Sequence, residues 1–333
     1  MTNLFDFKNF VGCDVSKNTL DFAIYTQGLT YKQFPHIQVS NSQEGFCQLL
    51  KWLKSQNIKI KETVIGMEHT GIYSEELSHW CEKKQLTFVF LHPLDVKNAS
   101  GRGRNKTDKV DSQFIADYIY TMREKLQPSS VEPATISRLR QLYNERRLAV
   151  RTRTSYLNQI KTISTHDGKK RMEKVITQIT AEINSIEKEI TKQIEEDKAI
   201  SSNCKYLLTI PGIGLINAVV TIIATGNFTR FQTARQYAKF CCVSPLTRQS
   251  GTSVYSGDHV SHAGHSEIKS ILTEAARSSI CHDRQLRAYY ERKRAQGKTH
   301  GCVMNAVKFK LICRMFAVVS RQSNYVDTEA YRN

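Results

Sequence analysis

Along the first third of the chain, apolar residues come in short runs broken by polar turns, a pattern of strands rather than long helices. "NFVGCDVS" is one such run, "LDFAIYTQG" follows after a short turn, and "LTYKQFPHIQVS" is a third extended segment. Short connections between them predict an antiparallel meander. The period then lengthens. In "SQEGFCQLLKWLKSQN" a serine stands at the capping position, and Phe46, Leu49, Leu50 and Leu53 fall at helical spacing. "ETVIGMEHTG" reads as a buried strand, "IYSEELSHWCEKKQ" as a helix and "LTFVFLHP" as a further strand. A last helix runs through "KTDKVDSQFIADY", with Val110, Phe114, Ile115 and Tyr118 as its apolar side. The order β-β-β-α-β-α-β-α predicts an α/β sandwich with a mixed sheet over residues 1–128.

"QPSSVEPAT" is a linker by its two prolines and two serines. From there to about residue 200 the pattern is helical. Ile176, Ile179, Ile183, Ile186, Ile190 and Ile194 recur at three- and four-residue spacing, which predicts a coiled-coil seam. The preceding helix, roughly 135 to 165, has its best seam through Leu139, Leu142, Arg146, Ala149, Arg153, Tyr156, Ile160 and Ile163, and "HDGKK" reads as the turn between the two. Arginines interrupt that apolar line. Either the pair is a solvated helical hairpin, or Arg146, Arg147, Arg151 and Arg153 lie along a phosphate backbone. The segment 201–333 opens with "LLTIPGIGLINAVVTIIAT". Its Pro211, Gly212 and Gly214 fit a helix-hairpin-helix, in which N–H groups at the glycine turn face a phosphate, and equally a plain turn between helices. The remainder reads as mostly α, with a glycine- and serine-rich region "LTRQSGTSVYSGDHVSHAGH" in its middle.

Composition narrows the class. At 333 residues the chain has room for two or three domains. Lys plus Arg outnumber Asp plus Glu by 48 to 31, a formal net charge of +17, which favours a polyanion as partner. Nucleic acid is the default polyanion and a membrane surface the competitor. No stretch is long and apolar enough to span a bilayer, and "MTNLFDFKNF" lacks the basic then apolar order of a secretory signal. The nine cysteines are scattered without a CxxC pair, so they read as reduced, buried small side chains in a cytoplasmic protein.

Four acids stand where acids need a reason. Asp14 interrupts the first apolar strand, and a buried carboxylate is costly unless paired or bound to a cation. Glu68 ends another strand. Asp108 and Asp111 share one face at the start of a helix, where capping and dipole compensation are the ordinary explanation. The order of elements can bring all four to one sheet edge. Oxygen-only ligands there suit Mg²⁺ or Mn²⁺, and such a cluster can hold two metals over a scissile phosphate. Asp21, Glu75 and Asp117 read as surface or structural acids.

The blocks "GCDVSKNTLDFAIY", "GMEHTGIYSEEL" and "GRGRNKTDKVDSQFIADY" resemble the DEDD-type transposases of the IS-one-ten group, which includes the Piv-type DNA invertases. "LRQLYNERRLAVRTRTSYLNQIK", "IPGIGLINAVVTII" and "YAKFCCVSPLTRQSG" agree in order and spacing, so the resemblance covers nearly the whole chain. It implies a RuvC-like, RNase H-type domain (1–128) whose four acids coordinate Mg²⁺, matching Asp14, Glu68, Asp108 and Asp111. A coiled coil (129–200) and a transposase domain (201–333) follow. It further implies a serine that attacks the scissile phosphate and links covalently to DNA. The residues alone leave Ser244, Ser250, Ser253, Ser256 and Ser261 open; motif position in "TRQSG" selects Ser250. Donor and target DNA, a bridge RNA, and dimers associating into tetramers are the implied partners, in a bacterial or archaeal nucleoid setting without a membrane.

Candidate nucleic-acid contacts are Arg102, Arg104 and Lys106 of the loop before Asp108, the four helix arginines, Gly212, Gly214, and Arg248 beside the serine. One departure stands out: "VSHAGHSEI" carries His262 and His265 where the family commonly has lysine and asparagine. With His259 these imidazoles suggest zinc, although polar contacts to DNA or an ordinary surface explain them without partner ligands. Three other functions remain in view. They are a Piv-like invertase, a RuvC-like junction nuclease that uses water, and a non-catalytic nucleic-acid scaffold.

Overall fold

Residues 4–68, 72–99, 107–250, 254–260 and 266–327 are described in the structure, a computed structural model. The chain divides into two units, 1–131 and 132–333, and the division falls inside "QPSSVEPAT".

In the first unit the apolar runs form the expected strands: β1 (Asn9–Val15), β2 (Thr19–Ile24), β3 (His36–Ser40), β4 (Thr63–Glu68) and β5 (Thr87–Leu91). They make one five-stranded mixed sheet in the order β3-β2-β1-β4-β5, with β1, β2 and β3 antiparallel and β1, β4 and β5 parallel. The parallel strands are linked by α1 (Gln43–Ser55) and α2 (Ile72–Lys83). Ser42 caps α1 by accepting from the Gly45 N–H at 3.4 Å. Phe46, Leu49 and Leu53 of α1, with Leu77 and Trp80 of α2, bury against Phe22, Ile65 and Met67 of the sheet. Two local differences from the sequence reading appear. The third strand is shorter than its apolar run, because Tyr31–Gln33 turns into a 3-10 segment closed by a Thr30–Gln33 capping box and Pro35 offers no N–H to a ladder. A short α3 (Pro93–Ala99) begins on a proline at its first position, a start signal the sequence reading passed over.

The opposite face of the sheet is covered by α4 (Asp108–Thr121), and two glycines decide how closely. Gly12 of β1 and Gly66 of β4 are direct partners in the parallel ladder. A Cβ on Gly12 would lie 2.1 Å from the Ser112 carbonyl oxygen and 2.3 Å from the Ala116 nitrogen. One on Gly66 would lie 2.4 Å from the Ile119 side chain. The helix backbone therefore rests directly on β1 at Gly12, and the Ile119 side chain fills the space over Gly66 of β4. Its buried stripe is Ser112, Ile115, Ala116 and Ile119, whereas the expected apolar residues Val110, Phe114 and Tyr118 are only half-buried. Ser112 and Ala116 lie over Gly12, where nothing larger fits.

The second unit is mostly helical. α5 (Ala134–Gln159) and α6 (His166–Glu196) pack along each other as an antiparallel pair, with Leu139 and Leu142 on one side and Ile186, Ile190 and Ile194 on the other. "HDGKK" is not the turn. The chain reverses at 160–165, and His166 to Lys170 begin α6, where Asp167 suits the positive helix end. α7 (Lys198–Leu208), α8 (Leu215–Thr225), α9 (Ala234–Phe240), α10 (Ser266–His282), α11 (Arg284–Ala295) and α12 (His300–Arg321) share one hydrophobic cluster with that pair. A two-stranded antiparallel hairpin, β6 (Pro245–Ser250) with β7 (Val254–Val260), stands where the sequence reading saw only a glycine- and serine-rich region. The cysteines are free among the described residues, but Cys47, Cys281 and Cys302 are exposed rather than buried. No described helix is long and apolar enough to cross a membrane.

One charge sits inside this second core. Lys308 of α12 is buried, donates to Asn305 Oδ1 at 3.1 Å, and has its ammonium pulled down to about 8 by burial and by Lys269 and Arg277.

Two stability predictions follow from this packing. Gly12→Ala must lift α4 off the sheet and is expected to cost about 3 kcal/mol or more by chemical denaturation, a loss that Gly28→Ala, in open space, does not reproduce through packing. For Lys308 the folded state releases its proton before the unfolded state does, so stability rises as pH climbs from about 8 towards the ordinary lysine value. Lys308→Met is expected to stabilise the unit by about 1–3 kcal/mol at neutral pH and to flatten that rise, read as melting temperature against pH.

Candidate active site

The register that sets α4 on the sheet also places the acids. Side chains alternate along a strand, so Asp14 stands on the same face as Gly12, and Glu68 on the same face as Gly66, each two residues further on. Both are therefore at the C-terminal ends of neighbouring parallel strands, on the side that α4 covers. α4 rests its Ser112 over Gly12, which puts its first turn, with Asp108 and Asp111, at that same end. The helix cap is Thr107, whose hydroxyl accepts from the Val110 N–H at 3.3 Å. Capping therefore does not account for Asp108.

Electrostatics report the convergence. The Asp14 carboxyl is pushed up to about 7, first by burial and then by the charges of Asp111, Asp108, Glu68 and Asp21. Three acids from two other elements thus act on one. Asp21 is a different kind of acid. It is buried across the ladder from Asp14, with His36 Nε2 at 2.7 Å from one oxygen and Gln38 Nε2 donating to the other at 3.0 Å, which is a structural role. Asp117 is half-buried, with its carboxyl raised by burial, and Glu75 is exposed.

The donor set of Asp14, Glu68, Asp108 and Asp111 is all oxygen and carries excess negative charge, the chemistry that a hard divalent cation answers. As placed, no three His, Cys, Asp or Glu side chains among the described residues close tightly enough to hold an ion.

In the second unit Ser250 is the last residue of β6, paired with Val254 of β7 at the end of the ladder where the chain passes from one strand to the other. An irregularity in register between Leu246 and Arg248 lies just before it. The expected contacts Arg102, Arg104 and Lys106, and His262 and His265, lie outside the described residues, as do the side chains of Arg248, Ser250 and His259. The helix arginines are occupied in part. Arg146 Nε donates to Glu187 Oε1 at 2.7 Å, Arg147 pairs with Glu267, and Arg153 keeps a buried Nε with no partner among the described residues; Arg151 is exposed. Gly212, at φ +90°, is held by packing, since a Cβ there would lie 2.1 Å from Ser279 Oγ, which itself donates to the Pro211 carbonyl at 2.8 Å. Gly214 is open and precedes α8 at its cap.

Comparison with known proteins bears on both units. Residues 11–164, which hold the four acids, match the DEDD transposase domain of the IS110 group, described as Transposase. Residues 204–291, which hold Ser250, match a domain described as Transposase IS116/IS110/IS902 family. Together these two domains define a transposase. The chain belongs to the IS110 family. It is similar to the pilin gene-inverting protein of Moraxella lacunata, 26% identical over 327 residues that cover 96% of this chain and 98% of that protein. The protein of the same name from Moraxella bovis matches equally. The transposase for insertion sequence element IS1111A of Coxiella burnetii is 24% identical over 259 residues, 66% of this chain and 68% of that protein.

The raised Asp14 carboxyl has a measurable sign. Its ordinary value is near 4, so between about 4 and 7 the folded chain keeps a proton that the unfolded chain has lost, and stability falls as pH rises through that window. Asp14→Asn is expected to remove most of this fall and to melt several degrees above the parent at pH 8 in chelator. Equal pH profiles for the two proteins would show that the four acids do not act on one another.

Proposed function

We propose that the chain is a DNA recombinase of an insertion sequence that cuts and rejoins strands through a covalent phosphoserine link at Ser250, with Mg²⁺ or Mn²⁺ at Asp14, Glu68, Asp108 and Asp111. The observation that carries the reading is the Asp14 carboxyl lifted to about 7, first by its burial and then by acids of α4 and β4, which suits a cluster that takes a counter-cation. A divalent ion bound there would polarise a phosphoryl oxygen and neutralise charge that develops in the displacement. The chain's own part is to hold four oxygen donors at one sheet edge. Attack by the Ser250 hydroxyl oxygen on phosphorus exchanges one phosphate ester for another, and the departing DNA oxygen takes up the proton the serine gives away. The reverse exchange reseals DNA without an outside energy source. The RuvC-like reading of the first unit draws support from its strand order and from α4 over the β1–β4 edge.

On the same reading 129–200 is a coiled coil for assembly, and protomers associate as dimers and tetramers in which one metal domain completes another's serine site. A bridge RNA supplies the target and donor sequences, and the charge of +17 suits a chain that handles two polyanions. The second reading is inversion of a fixed DNA segment by the same chemistry. It is favoured by the nearly full-length similarity to proteins named as pilin gene inverters. A structured noncoding stretch beside the gene, with loops that match the element's ends, would separate transposition from inversion.

Ser250→Ala and Asp111→Ala are each expected to lower strand exchange by at least about 10³-fold while DNA and RNA binding stay near normal. Denatured reactions of the parent should contain DNA attached to the peptide that holds Ser250. Normal recombination by the serine variant, or attachment elsewhere, refutes the serine chemistry; cleavage to free ends without any attachment points to a water-using nuclease.

A further inference from the structure

The second unit treats its cations in two ways. On α5, four arginines are matched to acids: Arg138 to Glu189, Arg140 to Glu132, Arg146 to Glu187 and Arg147 to Glu267. On α11 the matching stops. Its sequence "RQLRAYYERKRA" holds five cations against the single acid Glu291, and among the described residues none of the five is in an ion pair. Leu286 is buried and Tyr289, Tyr290 and Lys293 are half-buried, so this i, i+3, i+4, i+7 stripe is the inner face. Arg284, Arg287, Arg292 and Arg294 are exposed on the outer one.

Helix stability explains only part of this. Cations in the last turn suit the negative end of the helix dipole, which covers Arg292 and Arg294. Arg284 opens the helix at the positive end, with no acid in the first turn, where a cation is unfavourable. Arg287 donates to the Ile280 and Cys281 carbonyls at the end of α10, which fixes its place but leaves its charge unanswered. The tyrosines are not free to stack on a base. Lys310 of α12 lies 4.5 Å and Arg292 5.7 Å from the Tyr289 ring centre, and the Tyr290 hydroxyl is 2.7 Å from His300 Nδ1. The inner face is packed, so α11 offers no apolar side to a lipid surface. What remains is a row of guanidinium groups about 15 Å long, the span of several successive phosphates along one strand.

We propose that the outer face of α11, through Arg284, Arg287, Arg292 and Arg294, holds the phosphodiester backbone of a nucleic-acid duplex without reading its sequence. This rests on the reading of the chain as a protein that acts on nucleic acid, and it places backbone contact on α11 rather than on the acid-paired arginines of α5.

The test is equilibrium binding to a duplex DNA of arbitrary sequence and to an RNA hairpin, as a function of salt. It uses Arg284→Gln/Arg292→Gln/Arg294→Gln, which leaves the Arg287 contacts to α10 in place, with thermal melting to confirm the fold. A charge-matched control, Lys51→Gln/Lys54→Gln/Lys59→Gln, removes three exposed cations from the first unit. The expected result is a log–log salt slope shallower by about 2 to 3 for the α11 variant on at least one of the two ligands, with the control near the parent. The ligand whose slope changes identifies the duplex that α11 carries. An unchanged slope on both, or an equal change in the control, overturns the proposal. So does a variant that loses parental binding to phosphatidylserine vesicles while its nucleic-acid binding is intact. If the parent binds neither DNA nor RNA, it is the underlying functional reading that fails.

Discussion

The first unit depends on how near a helix can lie to a sheet. Gly12 and Gly66 are partners across the β1–β4 ladder; the first admits the α4 backbone itself and the second the Ile119 side chain. That approach buries Ser112, Ile115, Ala116 and Ile119, and it brings the first turn of α4 against the strand ends that carry Asp14 and Glu68. A larger residue at either glycine would separate the acids as surely as it would unseat the helix. Packing and electrostatics are therefore one constraint. The helix is held down by apolar burial while carboxylates at its tip push against those of the sheet, and Asp14 is raised first by its own burial and then by that opposition.

Charge in the second unit follows a different logic. Glutamates of α6 and α10 answer arginines of α5, so the helical pair is held partly by pairs that cross between elements. Arg146 would otherwise interrupt the apolar seam, and Glu187 at 2.7 Å makes its place tolerable. Lys308, buried beside Lys269 and Arg277, donates to the neutral Asn305 side chain and bears its burial as a lowered proton affinity. The excess positive charge of the chain is thus not spread evenly: acids answer four of the six arginines of α5, while α11 keeps its cations for solvent or a polyanion.

Much of this was legible in the residues, and the failures share a cause. The apolar runs in "NFVGCDVS" and "TVIGME" pointed to strands of a mixed sheet, and an acid within the first and at the end of the second marked the candidate site. Of the expected apolar face of α4 only Ile115 is buried; Ser112 and Ala116, which lie over Gly12, are small residues that hydrophobicity does not rank. The β6–β7 hairpin escaped because serine and glycine carry no alternation. Gly212 shows a signal with two meanings. A glycine before a helix fits a phosphate turn, yet here the demand for glycine comes from Ser279 of α10, a residue far away in sequence. The α11 cations were visible in "RQLRAYYERKRA", but a basic run alone does not reveal whether its partners are glutamates of the same chain.

On the proposed function, the two charge patterns require each other. A DNA phosphate brought beside four carboxylates meets a repulsion of about 4 kcal/mol per unit charge pair at 4 Å, for an effective dielectric near 20. Basic surface elsewhere on the chain can recruit the polyanion, but it cannot remove that local repulsion, because screening confines its reach to about 8–10 Å at physiological salt. Only charge placed between phosphate and carboxylates does so. Recruitment by arginine and lysine is therefore separable from chemistry at the acids: the first depends on salt, the second on a divalent ion. A chain with a strongly positive total and a local excess of acids at one sheet edge is what that division of labour demands.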